Sequence, residues 1–187
     1  GSNKQAVISS ETPFAGSFDG GGHAINGFYI SSSNDIQGLF GDLTGTVTNL
    51  TLNGSMSLTG SNIAGSVAAF VHGGTISGVT NNATINATSM LYVGGICGYN
   101  LNGTISCCAN LADINAYKEV GGIAGRNAGT IIYTYNAGIV DGVYNSSKNG
   151  VGGIAGKNGN HYTAVETGII ESCYNAGTVG RSGQKWV

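Results

Sequence analysis

Charge is what this sequence most lacks. Seven Lys and Arg and nine Asp and Glu make up only 9% of its 187 residues, against about a quarter in ordinary globular domains. The net charge is −2 and no basic run occurs, so the electrostatic footprint of a nucleic-acid binder is missing. Proline occurs once, although glycine occurs 34 times. That combination excludes collagen and Pro-rich linkers. No apolar run is long enough to span a bilayer. No segment spaces its apolar residues as a helix would, and each Gly would cost a helix about 1 kcal/mol. Cys97, Cys107, Cys108 and Cys173 form no CxxC pair and have no nearby His, which argues against zinc. HExxH is absent, and His161 and Glu166 have the wrong spacing for two ligands or a base on one helical face. No cofactor or metal is expected. No secretory leader opens the chain, and Gly1-Ser2 reads as a cloning remnant, so a leader removed upstream is compatible with it.

What fills the chain instead is a repeat. The stretch 120–140 reads VGGIAGRNAGTIIYTYNAGIV. Related copies start at Ile36, Ile63, Val93 and Val151, giving spacings of 27, 30, 27 and 31. A period in this range marks a solenoid. Each copy carries three strand signals. The first is the VGGI stretch. The second is Gly-Thr followed by Val or Ile, at Gly45, Gly74, Gly103 and Gly129. The third ends in Met56, Ile85, Ile114, Val140 and Val179. Short β-branched segments punctuated by Gly and Asn are strands. The expected fold is all-β: one right-handed parallel β-helix of about six coils, with three short strands per coil. At about 4.8 Å per coil it forms a rod roughly 25 Å long.

Equivalent residues should stack in columns. Val47, Ile76, Ile105, Ile131 and Ile170 are the clearest core column. Asn81, Asn110, Asn136 and Asn175 form another, assigned to a corner where Asn tolerates the left-handed conformation and its amides bond along the ladder. Cys108 and Cys173 share a column with Leu50, Val79 and Thr134. That places them two coils apart, beyond disulfide reach, so all four thiols are expected free. Residues 1–13 are assigned to a tag and an incomplete first coil, and 14–187 to the β-helix. In 14–30, two short strands flank Gly20-Gly21-Gly22, with Asp19 read as the turn's capping carboxylate. The chain opens in an incomplete coil and ends at Trp186-Val187 with no capping helix, so neighbouring domains or pairing of ends are expected.

Gly38-Leu39-Phe40-Gly41, together with the VGGIxGxN…GTI…N pattern of the copies at 93, 120 and 151, resembles the GLUG motif of bacterial surface proteins. The run Phe14-Ala15-Gly16-Ser17-Phe18-Asp19 is similar to the stretch that often precedes such repeats. The resemblance covers roughly 14–179. It implies a secreted or surface-displayed module, as in adhesins and in the non-catalytic part of IgA-specific metallopeptidases. The copy at Ile63, IAGSVAAF, departs from the motif at Ser66 and Ala68, yet is still expected to form a coil.

Function is less legible. Insertions at 143–149 and 160–167 flank the 151–156 strand, and solenoid insertions become surface loops that often bind. Tyr144, His161, Tyr162 and Glu166 are therefore the candidate ligand-binding patch, since an aromatic face with a carboxylate suits a sugar. Tyr135 and Tyr174 share an exposed column and form a second candidate, or a ladder that merely covers the strand. Thr46, Thr75, Thr104 and Thr130 form an outward column that solvent-facing strands favour on propensity alone. The enzyme alternative, a polysaccharide-active β-helix, needs an acid–base set. Asp113 and Asp141 fall two columns apart. Arg126 and Lys157 share a column after Tyr99, and are read as solvated surface charges. The expected function is non-enzymatic adhesion, directed at a host glycan or extracellular protein. A structural spacer between flanking domains of the same protein is the alternative.

Overall fold

A computed structural model describes residues 7–8, 12–143, 150–159 and 167–180. Every regular element among them is a strand, and every pairing is parallel. Three sheets result, one per face of the solenoid. The first face takes Ile36–Gln37, Ile63–Gly65, Tyr92–Gly94, Glu119–Gly121 and Val151–Gly152. Five strands on this face count five turns. Among the described residues a further, first coil contributes Ser17–Asp19 and Ala24–Ser32, which lie on the other two faces. The second face carries strands such as Ala68–His72, Cys97–Ser106 and Ala124–Ile132, and the third carries Thr51–Leu58 and Thr80–Ala87. The copy at Ile63 forms its coil, and the buried Ser66 hydroxyl donates to the Gly95 carbonyl of the next one.

The columns follow the repeat. Val47, Ile76, Ile105 and Ile131 stack in register and are wholly buried. Ile170 continues the column but is 38% exposed. Burying such apolar columns, at about 25 cal/mol per Å², is the main stabilising term in a chain with so few charged residues. The thiols are free. Cys108 and Cys173 are separated by Thr134, whose hydroxyl lies 3.3 Å from the Cys173 sulfur.

One expectation about the Asn column is corrected. The left-handed corner belongs to Asn49, Gly78, Cys107, Tyr133 and Ser172, with φ between 50° and 65°, each directly after the Gly-Thr-Ile strand. Asn81, Asn110 and Asn136 lie further along and are wholly buried. Their amides form a ladder: Asn81 Nδ2 donates to Asn110 Oδ1, Asn110 to Asn136, and Asn136 to Asn175, each at 2.7 Å. Each Nδ2 also donates to the carbonyl two residues ahead, as Asn110 does to Ala112 at 2.8 Å. The inward turn is preferred because it satisfies buried backbone that has no strand partner there. A second ladder, Asn100 to Asn127 to Asn158, runs beside it at 2.8 Å per step. The glycines at 95 and 122 leave room for the first ladder: a Cβ on Gly95 would stand 2.6 Å from the Asn110 amide oxygen.

Candidate binding face

The first and second faces meet at a corner lined by Gly98, Gly125 and Gly156. A Cβ on Gly125 would lie 2.5 Å from the Val93 nitrogen, and one on Gly156 2.5 Å from the Val120 nitrogen. Only glycine lets the two faces approach this closely. The corner is therefore re-entrant, and outward side chains from both faces meet in it.

The second face contributes the column Asp42, Phe70, Tyr99, Arg126 and Lys157, one residue per coil. The first face contributes Ile63, Tyr92 and Glu119. Arg126 donates through Nε to Glu119 Oε2 at 2.7 Å and through Nη2 to Oε1 at 2.8 Å. Its guanidinium carbon stands 4.5 Å from the Tyr92 ring centre and 5.6 Å from that of Tyr99. Burial opposes the Arg126 charge, but the hydrogen bond and attraction from Glu119 outweigh it and raise its pKa. The fork-shaped pairing and the stacking on rings are what Arg, and not Lys, provides.

Further along the column, Phe70 stacks on His72 with ring centres 5.4 Å apart and planes within 8°. His72 Nδ1 lies 2.8 Å from Asp42 Oδ1. Phe70 and Tyr99 are tilted neighbours at 6.2 Å, and Tyr99 and Tyr92 at 6.5 Å. The result is a file of half-buried rings across two coils, with the ion pair of the next coil set against one end. The other outward columns are mostly Thr, Ser and Asn: Thr46, Thr75, Thr104 and Thr130 are half-buried, and Asn26, Asn53 and Asn82 form an exposed amide ladder.

The reading of Arg126 and Lys157 as a solvated pair is corrected for Arg126. The two share a column as expected, but Arg126 is only 5% exposed. Its partner Glu119 was missed, because it lies on another face. The clue was the position just before each repeat start, where Tyr92 and Glu119 align. Asp113 and Asp141 stay two columns apart, with Asp141 beside Asn115. Asp113 caps the Ile139 nitrogen at 2.9 Å. Asp19 caps Gly21 in the same manner.

Tyr144, His161, Tyr162 and Glu166 lie outside the described residues. Tyr135 and Tyr174 pair in register as expected, their rings parallel within 3° and 5.1 Å apart. They stand on the third face, away from the aromatic file. Among the described residues, no group of three or more His, Cys, Asp or Glu is placed to hold a metal ion. No family model, curated protein or solved structure matches this chain.

Proposed function

We propose that this chain is a non-enzymatic binding module, displayed on a bacterial surface or secreted, that engages a host glycan or extracellular protein through the re-entrant aromatic corner. The observation that carries the reading is the file Phe70, Tyr99 and Tyr92, backed by the Arg126–Glu119 pair, on a rod whose other outward columns are mostly small and polar. Partly exposed rings in a groove offer apolar area to sugar C–H faces or to side chains. The flanking His72–Asp42 pair offers hydrogen bonds at the rim. The resemblance of the repeat to the GLUG motif supports the surface setting.

A structural spacer is favoured by a different observation. The Arg126–Glu119 pair is almost wholly buried, so much of the corner serves as a staple between faces. An array of glycans and extracellular-matrix proteins separates the two, using the intact chain and a Phe70→Ala variant checked for an unchanged thermal transition. Binding lost in the variant supports the aromatic corner. Binding retained moves the site elsewhere, and no binding by either protein supports the spacer.

A further inference from the structure

On the third face, Tyr135 and Tyr174 leave neighbouring strands in register, one coil apart. Their rings are parallel within 3° and 5.1 Å apart, close to the spacing of the coils themselves at about 4.8 Å. Tyr174 is 59% exposed and Tyr135 is half-buried, so water and solutes reach the pair. Tyr29 and Tyr133 are as exposed, but neither has a ring contact among the described residues. Tyr92 and Tyr99 do form a pair, but it is half-buried, tilted by 45° at 6.5 Å, and has the Arg126 guanidinium over both rings. A neighbouring cation opposes removal of an electron from a ring. Among the described residues, the Tyr135–Tyr174 stack is thus the one place where two accessible phenols stand side by side with no cation over them.

The position of the pair in the chain gives it a use. From Asn110 to Asn136 the amide ladder advances 26 residues, but from Asn136 to Asn175 it advances 39. Both insertions fall in that longest step. Among the described residues, Ile169–Glu171 and Tyr174–Asn175 pair along one edge only, and Ile169, Ile170 and Tyr174 are exposed. A coil held on one side across a long loop is where a chain opens first. A cross-link that closes a longer loop removes more freedom from the open state.

We infer that Tyr135 and Tyr174 are a modification site, coupled into a dityrosine bridge that staples this coil to its neighbour. The co-reactant is hydrogen peroxide, acting through a one-electron oxidant of the haem-peroxidase class. Each phenol gives one electron to the oxidant and its O–H proton to water. The two phenoxyl radicals join through a carbon ortho to each oxygen. The hydrogen on each of those carbons then leaves as a proton while each oxygen takes one up, which restores both phenols. The two electrons and two protons released reduce one peroxide to two waters. Rotation of the two side chains about their own bonds turns the stacked rings edge to edge, so the backbone pairing is kept. The inference does not rest on the binding reading, because the pair stands away from the aromatic corner.

The test treats the whole chain at micromolar concentration with a haem peroxidase and hydrogen peroxide. Dityrosine fluorescence, gel mobility and tryptic mass spectrometry are the readouts, and cleavage after Lys148 and Lys157 puts Tyr135 and Tyr174 in separate peptides. Partners held together behave as if at millimolar concentration, so coupling within a chain should exceed coupling between chains by about a thousandfold. The expected product is a monomer in which the peptides of Tyr135 and Tyr174 are joined with the loss of two hydrogens. Tyr135→Phe and Tyr174→Phe keep the rings and remove one phenol; each should lower the fluorescence by about tenfold or more, because only coupling between chains remains. Tyr133→Phe should leave it unchanged. The Tyr174 and Ala176 amides, which donate to the Thr134 and Asn136 carbonyls, should exchange hydrogen more slowly in the linked chain. Links that map to Tyr29, Tyr133 or the Tyr92–Tyr99 pair, a product that is mainly dimer, or fluorescence that survives Tyr135→Phe overturns the site, as does the absence of any link. Unchanged exchange in the linked chain overturns the staple.

Discussion

Asn110→Ala tests whether the buried amide ladder holds the coils together. Asn110 is wholly buried. Its Nδ2 donates to Asn136 Oδ1 at 2.7 Å and to the Ala112 carbonyl at 2.8 Å, while its Oδ1 accepts from Asn81 at 2.7 Å. The alanine variant strands two buried acceptors and takes one acceptor from Asn81, which keeps its bond to Ala83. At about 1–2 kcal/mol for each stranded acceptor, plus a small cavity, the loss is about 3 kcal/mol. For a domain of this size that lowers Tm by about 6–12 °C. Asn82→Ala is the control. Asn82 makes the same kind of bond, to Asn53 at 2.8 Å, but on the exposed face. Its loss should stay within about 0.5 kcal/mol. Both variants are read by urea and thermal unfolding followed by circular dichroism. Equal shifts for the two would refute the reasoning, because both the burial and the larger number of bonds lost put the greater cost on Asn110.

Glu119→Ala should cost about 3–5 kcal/mol in urea unfolding, because it leaves the Arg126 charge buried without its carboxylate; a loss under about 1 kcal/mol would mean that stacking on Tyr92 and Tyr99 holds Arg126 unaided. Burial pushes the Cys108 thiol up to about 12 and raises Cys97 as well, whereas Cys107 is exposed. Mass spectrometry after iodoacetamide treatment of the native protein should therefore find Cys107 modified and Cys97 and Cys108 untouched until unfolding. Asp19 is held below its ordinary pKa first by the Gly21 N–H and then by Asn49, and Asp35 by the Ser61 N–H and hydroxyl. A depressed carboxylate stabilises the fold above its unfolded pKa, and that contribution is lost as pH falls through the folded value. Protection of the Gly21 and Ser61 amides from hydrogen exchange should thus persist at the ordinary Asp pKa of 3.8 and fail below it; loss of protection well above pH 4 would contradict the capping geometry.

The repeat by itself determined the architecture. A spacing near 27–31 residues, β-branched residues at fixed offsets and glycine at the corners leave a chain with few charges one economical way to bury its apolar face, by stacking coil on coil. The Val47–Ile76–Ile105–Ile131 column, the Asn column and the Tyr135–Tyr174 stack were all legible, because neighbours along a solenoid are residues one period apart. Two things were not legible. The left-handed corner fell to Cys107, Tyr133 and Ser172, whose types do not announce it, because the bend is set by the path of the strands on either side. The Arg126–Glu119–Tyr92–Tyr99 cluster depends on which faces fold toward each other. Periodicity reports contacts along the rod axis. Contacts across a corner arise only when the chain has closed around its core.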